Sequence, residues 1–175
     1  MPPGFSIGGL SVGEPKAAMW ATLEITSAEL PIDKPRYLMG VGSPEDLIEG
    51  IARGIDMFDC VLPTRLGRNG ALLTDDGRIN LRNAACRERD EPADPTCDCL
   101  ACSQFSLAYL HHLFRNDELL GHRLATHHNL RYLARLTGRA REAIAAGTFE
   151  SFRRAFLERY RPADEAARLA QRRKT

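Results

Sequence analysis

The chain has 175 residues, which suits one domain of ordinary size, and its 43% hydrophobic and 27% charged residues exclude a disordered or low-complexity chain. The formal net charge of +1 indicates no particular partner, but the charge is unevenly distributed. Residues 1–102 carry 10 Lys and Arg against 16 Asp and Glu, whereas residues 103–175 carry 14 against 7. The basic C-terminal part fits contact with a polyanion or, more commonly, a solvated arginine-rich helical surface.

Three short apolar runs predict buried strands, at residues 5–7, 37–41 and 57–62. A helical pattern at residues 15–28 lies between the first and second runs. The residues expected on the buried face of this helix are Ala18, Met19, Leu23 and Thr26.

A second helix is predicted to begin after Ser43, whose hydroxyl suits an N-cap. Pro44 takes the first helical position, and Glu45 and Asp46 place carboxylates in the first turn, where the helix dipole favours them. Gly54 ends the helix. Strands and helices that alternate at this spacing are typical of parallel βαβ units, so the sequence predicts an α/β fold.

The rest of the chain is expected to be a loop followed by helices. Residues 65–95 are rich in Gly, Asn, Asp and Arg, with a small hairpin predicted at Asp76-Gly77. Helices are predicted at residues 105–114, 117–136 and 140–160, and a charged tail follows. Parallel sheets need both faces covered, which two helices cannot do for three strands. We therefore expect a piece of something larger, or assembly with a partner.

Neither a targeting segment nor a membrane segment is recognisable in the sequence. The N-terminus lacks a basic leader followed by a long apolar stretch, and no apolar run approaches the ~18 residues needed to span a bilayer. We expect a soluble cytoplasmic protein without a membrane partner. The five cysteines, an odd number, then favour metal binding over disulfides.

Cys97, Cys99 and Cys102 form a CxCxxC run that predicts a metal site, with reduced structural thiols as the competing interpretation. A closed tetrahedral site needs a fourth ligand, and two pairs, His111-His112 and His127-His128, lie downstream. The residues alone leave either pair open. A Cys3His set favours zinc over an iron–sulfur cluster. Because such a site leaves no position for water, the zinc is expected to be structural, which disfavours a zinc-using metalloenzyme.

Asp59 lies within the third apolar run, between Phe58 and Cys60, where a carboxylate needs a partner or a function. Active sites of βα folds form at the C-terminal ends of strands. Asp59 is therefore a candidate catalytic group, with a buried, hydrogen-bonded structural aspartate as the equal alternative. Asp56, at the start of the run, is expected to be a helix-exit or surface residue.

Two glycine-rich stretches, GGLSVGE and MGVGS, follow the first two predicted strands. Each alone is a weak signal for a ligand, but both are expected at the same edge as Asp59. After Asp59, a predicted flexible loop carries Arg65 and Arg68, which suit either phosphate binding or simple exposure to solvent.

Seven strings of the sequence together resemble the tRNA-guanine transglycosylase family, also called queuine tRNA-ribosyltransferase, in order and spacing. They are GGLSVGE, RYLMGVG, GIDMFDCVLPTRLGRNGAL, INLRNA, CDCLAC, AYLHHLF and HNLRYL. The resemblance implies a (βα)8 TIM barrel whose last three strands are those predicted above, with a zinc-binding, mainly helical subdomain. It divides the chain into a partial barrel at 1–70 with the base pocket and nucleophile, a zinc subdomain with C-terminal helices at 71–160, and a charged tail at 161–175.

The resemblance also implies roles for single residues. Asp59 matches the nucleophile that attacks the anomeric carbon of the wobble guanosine, and Glu14 matches the acid that orients the base-binding backbone. The residues that match the walls of the base pocket are Gly9, Leu10, Ser11, Met39 and Gly40. The residues that match RNA-contacting segments are Gly40, Val41, Gly42, Ser43, Pro44, Glu45, Asp46, Thr64, Arg65, Leu66, Gly67 and Arg68. The residues that match zinc ligands are Cys97, Cys99, Cys102 and His128.

The implied activity is exchange of the wobble guanine of tRNA for 7-aminomethyl-7-deazaguanine in queuosine biosynthesis, through a covalent aspartyl-RNA intermediate in a homodimer. Val12 resembles the bacterial type, which uses this base. The family's general acid/base and purine-reading residues lie in an N-terminal barrel half that has no match here, so the chain alone is expected to be inactive. The rival hypothesis is a non-catalytic, zinc-stapled module for tRNA binding or dimerisation, which has no need of Asp59.

Overall fold

The computed structural model describes residues 2–162, which form two compact units. The first unit comprises the stretch up to Leu62 together with Arg139–Arg153, and the second comprises Pro63–Gly138 and the stretch from Arg154 onward. The predicted division at residues 70 and 160 follows function rather than compactness and stays a prediction. The predicted charged tail lies, from residue 163, outside the described residues.

The first unit contains a parallel sheet of three strands in the order β1-β2-β3. The strands are β1 (Phe5–Ile7), β2 (Arg36–Leu38) and β3 (Met57–Phe58). Ile7 pairs with Leu38, and Leu38 pairs with Phe58, so the three strands end at one level. The parallel α/β pattern is confirmed, but β2 and β3 are shorter than predicted. Gly40 has a left-handed φ of 73°, and a helix already begins at Leu62.

Helices α1 (Lys16–Ala28) and α2 (Pro44–Ala52) connect these strands. The predicted cap of α2 is confirmed, because the Ser43 hydroxyl accepts a hydrogen bond from the Asp46 N–H. The predicted buried face of α1 was partly wrong: Ala18 is exposed and Thr26 half-buried, while Ser27 is buried. The core of this unit is formed by Ile7, Met19, Leu23, Leu38, Val41 and Ile55.

The second unit is a hairpin surrounded by helices. Its elements are α3 (Leu62–Arg68), β4 (Ala71–Thr74), β5 (Gly77–Asn80), a 3₁₀ turn (Ala84–Cys86), α4 (Leu100–Gln104), α5 (Leu107–Arg115), α6 (Leu119–Ala145) and α7 (Phe149–Arg159). Three of these helices, α3, α6 and α7, cross the boundary between the units. The predicted hairpin is confirmed. Helix α6 runs past the predicted break between residues 136 and 140, and the chain turns instead at Gly147, whose φ of 68° is left-handed. Among residues 2–162, no helix has an apolar stretch long enough to cross a bilayer.

Candidate functional site

Asp59 directly follows β3, at the edge where all three parallel strands end. Its Oδ1 accepts a hydrogen bond of 2.7 Å from the Tyr37 hydroxyl and one of 2.8 Å from the Gly40 N–H. Contrary to the alternative of a buried structural carboxylate, Asp59 is exposed. Since both donors reach Oδ1, the structure gives Oδ2 no partner among the described residues.

The two donors favour the charged form of Asp59. The Gly40 N–H, followed by the Tyr37 hydroxyl, lowers the pKa of Asp59 below its usual value. The same hydrogen bond raises the pKa of Tyr37. The site therefore holds an anionic carboxylate with one oxygen anchored and the other available, as a nucleophile requires.

The loop after β1 is organised by Glu14. Its carboxylate accepts hydrogen bonds from the backbone N–H groups of Ser11, Val12 (3.0 Å) and Gly13 (3.1 Å). Its own backbone N–H, followed by that of Ser11, lowers the pKa of Glu14. Ser11 has a φ of 61°, which non-glycine residues rarely adopt, so Glu14 holds an otherwise unfavourable backbone conformation.

Within the same unit, the base-pocket residues predicted from the resemblance follow β1 and β2. Gly9 and Gly40 are exposed and have left-handed φ values of 78° and 73°. Leu10 packs against the core of the unit, and Met39 is 46% exposed. Because β1 and β2 are paired and end together, their exit loops are neighbours, and the second of them bonds directly to Asp59.

The loop after β2 is fixed by tight packing and by charge. A Cβ at Gly42 would lie 2.0 Å from the Cys60 Sγ, so only glycine fits there. The Lys16 ammonium contacts Glu45 Oε1 at 2.6 Å and Asp46 Oδ1 at 2.8 Å, and both carboxylates are buried. Burial alone would lower the pKa of Lys16, but Glu45 and then Asp46 raise it above its usual value.

In the second unit, the ligand atoms of Cys97, Cys99, Cys102 and His128 lie within 4.8 Å of one another, and all four residues are buried. Cys99 caps α4 and Cys102 lies in its first turn, where its N–H donates to the Cys99 Sγ at 3.4 Å. The Nδ1 of His128, on α6, lies 3.5 Å from Cys99 Sγ and 3.3 Å from Cys102 Sγ. A tetrahedral zinc ion with bonds of about 2.0–2.3 Å needs ligand atoms roughly this close.

The charges around the cluster suit thiolate ligands. The hydrogen bond between Cys99 and Cys102 lowers the pKa of Cys99, which burial opposes, and raises the pKa of Cys102, so one thiolate of the pair is favoured. Burial would lower the pKa of His128, but the sulfurs of Cys97 and Cys99 raise it to about 10. Arg131 bonds Asp98 with two hydrogen bonds of 2.7 Å, and Arg135 bonds Asp94 at 3.0 Å, so cations flank the cysteine loop. The donor set fits a structural zinc ion.

Comparison with known proteins places this geometry in a family. A family model described as queuine tRNA-ribosyltransferase matches residues 1–162. The chain belongs to the queuine tRNA-ribosyltransferase family. A protein of that name from Herpetosiphon aurantiacus is 61% identical over 97% of this chain, and one from Symbiobacterium thermophilum is 57% identical over 95%. The matches cover 43% and 41% of those proteins, so the chain spans less than half the length of these relatives.

The segments predicted to contact RNA fall on two different kinds of structure. Residues 40–46 form the loop after β2 and the first turn of α2, where Glu45 and Asp46 face Lys16. The segment from Thr64 to Arg68 was predicted to be a flexible loop, which is wrong, because it lies in α3. Arg65 and Arg68 are both exposed and, three residues apart, share one face of that helix.

Sequence reasoning missed three residues that support these sites in the queuine tRNA-ribosyltransferase fold. Tyr37 was predicted only as part of an apolar strand. In the structure it lies near the end of β2, where its hydroxyl reaches Asp59. Lys16 gave no signal, since its partners lie 29 and 30 residues away. Asn129 follows His128 directly and was read only as part of a helix.

Proposed function

We propose that this chain is the nucleophile- and zinc-bearing part of a bacterial-type tRNA-guanine transglycosylase. The observation that carries the proposal is Asp59, an exposed carboxylate at a strand end with one oxygen held by Tyr37 and Gly40. The substrates would be a tRNA with a wobble guanosine and 7-aminomethyl-7-deazaguanine. The enzyme would be a cytoplasmic homodimer.

The proposed reaction has two displacements at one carbon. Asp59 attacks the ribose C1′, the bond from C1′ to guanine N9 breaks with its electron pair leaving on guanine, and guanine takes up a proton. The incoming base then attacks C1′ through N9, loses the N9 proton and releases the carboxylate. Two inversions give net retention, as in retaining glycosidases. The target base must first leave its stack.

The roles of the neighbouring residues follow from their contacts. Tyr37 and the Gly40 N–H hold Oδ1, so Oδ2 would attack, and the low pKa of Asp59 keeps it charged. Gly9 and Leu10, with the backbone at Ser11 that Glu14 fixes, would form one wall of the base pocket, and Met39 with Gly40 the other. Glycines at strand exits let a flat base approach the backbone without obstruction by side chains.

Further segments of the chain would contact the RNA. Arg65 and Arg68 share one exposed face of α3, as phosphate contacts require. In the segment from Gly40 to Asp46, Glu45 and Asp46 would act by fixing the loop through Lys16 rather than by touching phosphates, because both carboxylates are buried.

The zinc ion would be held by Cys97, Cys99, Cys102 and His128 in a closed site. Such a site supplies folding energy and no chemistry of its own, since no position is left for water. Its proposed role is to hold α4 and α6 together around the cysteine loop.

The proposal further places the three strands as the last three of a (βα)8 barrel. The remaining strands would bring the acid that protonates guanine and the residues that read the purine edge. A positioned acid contributes roughly 100- to 10,000-fold, so the chain without its barrel half would give no measurable turnover.

A base-exchange assay tests the proposal. The chain is combined with the N-terminal barrel half of a close relative, in cis or in trans, and release of labelled guanine from the wobble position of tRNA is followed. Release that depends on Asp59 supports the transglycosylase. Binding of tRNA without release, and unchanged in Asp59→Asn, would instead favour the non-catalytic binding module.

A further inference from the structure

Two side chains of α6 form hydrogen bonds with the edge of β4 that does not pair with β5. Strand β4 pairs with β5 on one side only, and its Leu72 and Leu73 are fully buried. Alternate residues of an antiparallel pair bond to the partner strand, so the groups between them point away from it. A buried edge of this kind would leave backbone groups unpaired at considerable cost.

Asn129 and His128 pair three of those groups. The Leu73 N–H donates to Asn129 Oδ1 at 2.8 Å, and Asn129 Nδ2 donates to the Ala71 carbonyl at 2.8 Å. The Leu73 carbonyl lies 2.9 Å from His128 Nε2. Asn129 also donates to the Pro63 carbonyl at 3.1 Å, and both α6 side chains are fully buried.

The contact between His128 and Leu73 decides which imidazole nitrogen is free. A carbonyl oxygen only accepts, so Nε2 must carry the hydrogen in that contact. In the neutral ring the lone pair is then on Nδ1, the atom that lies 3.5 and 3.3 Å from two cysteine sulfurs. The orientation of the Leu73 carbonyl therefore sets both the tautomer and the direction of the ligand.

We infer that Asn129 is a positioning residue for the metal ligand His128, acting through the backbone of Leu73, whose N–H and C=O lie on either side of one Cα. Asn129 holds the N–H side of β4 at Leu73, and His128 uses the carbonyl side, so the amide fixes the acceptor that orients the imidazole. Groups that orient a zinc-bound histidine typically change metal affinity by about 10- to 100-fold when removed. This inference rests on the proposed zinc site and deepens it.

The test measures zinc affinity of the 175-residue chain by competition with a chromophoric chelator, comparing Asn129→Ala, Asn129→Asp and Leu110→Ala. Leu110 is fully buried in the hydrophobic cluster that contains the cysteines and Leu72, so Leu110→Ala lowers stability while every hydrogen-bond partner at the β4 edge is kept. Asn129→Asp keeps the acceptor for Leu73 but loses the donors to Pro63 and Ala71. We expect affinity to fall by about 10- to 100-fold in Asn129→Ala, less in Asn129→Asp, and least in Leu110→Ala.

A second measurement separates positioning from general stability. In zinc-loaded wild type, nitrogen NMR should show His128 coordinated through Nδ1 with a slowly exchanging Nε2–H. That proton should exchange faster in both Asn129 variants and stay protected in Leu110→Ala. Zinc affinity in Asn129→Ala that matches Leu110→Ala, with an unchanged Nε2–H, overturns the inference alone. A wild-type chain that binds no zinc overturns the zinc site and the inference together.

Discussion

Replacing His128 with alanine removes the imidazole from the proposed zinc site and should abolish stable metal binding. Structural zinc in small domains contributes about 10–16 kcal/mol of folding free energy, and a three-thiolate site retains only part of this. The substitution also leaves the Leu73 carbonyl without its hydrogen-bond donor, which in the wild type is His128 Nε2 at 2.9 Å, at a cost of about 1–3 kcal/mol. Because native domains are stable by only about 5–15 kcal/mol, we expect the second unit to unfold at a markedly lower temperature.

His111 provides a matched control for this substitution. It is also buried on a helix, and its Nδ1 lies 2.6 Å from the Leu81 carbonyl, so His111→Ala orphans a carbonyl in the same way. It is not part of the four-residue cluster. We expect His111→Ala to lose only the roughly 1–3 kcal/mol of stability that an unpaired buried carbonyl costs, and to keep one zinc per chain.

The assay is elemental analysis of purified protein, with thermal unfolding followed by circular dichroism. The wild type should carry one zinc per chain, His111→Ala and His112→Ala should retain it, and His128→Ala should lose it. Removal of zinc by a chelator should reproduce the loss of helix stability in the wild type. Full retention in His128→Ala, with loss in His112→Ala, would refute the ligand assignment.

Three further predictions concern stability and the nucleophile. In the chain alone, hydrogen exchange should be faster in strands β1 to β3, whose sheet has two open edges beside exposed apolar side chains, than in helices α4 to α6; equal, cooperative protection would contradict this. In the assembled enzyme, Tyr37→Phe removes a donor to the charged carboxylate, so the pKa of Asp59 rises and the acid limb of the pH–rate profile moves to higher pH; an unmoved limb would count against this role. Gly67→Ala places a Cβ 2.7 Å from the backbone of α6 and should lower the free energy of unfolding by about 1–3 kcal/mol. Gly138→Ala meets open space and should raise the free energy of unfolding by up to about 1 kcal/mol. Melting temperatures of the two variants measure both effects.

Local signals in the sequence predicted the elements whose causes are local. Ser43, Pro44 and the following carboxylates predicted the start of α2, and the Asp76-Gly77 turn predicted the hairpin. The three apolar runs predicted parallel strands, which the structure pairs in the order of the sequence. The spacing of the cysteines predicted the metal cluster, because CxxC at a helix start lets one sulfur accept the N–H of the other residue.

The remaining features depend on contacts between distant residues. Helix α3 was missed because its glycine and arginines resemble a loop, whereas its tight packing against α6 at Gly67 is visible only in three dimensions. The continuation of α6 through Gly138 was missed, because a glycine by itself weakens a helix. A long helix tolerates one glycine, since packing contributes more to helix stability than propensity does. The residues alone could not choose between the two histidine pairs; the resemblance selected His128, and the structure brings that residue to the thiols.

The central claim is that Asp59 is the nucleophile, and a covalent adduct tests it most directly. The chain is assembled with a barrel half from a relative, incubated with tRNA bearing the wobble guanosine, and run on a denaturing gel. Asp56 is the matched control, since it is also an exposed carboxylate of the same segment, but it bonds the Arg36 N–H of the sheet at 2.8 Å. A band resistant to denaturant should form with the wild type and with Asp56→Asn, and should be absent with Asp59→Asn. An adduct that survives Asp59→Asn would contradict the claim and place the nucleophile elsewhere.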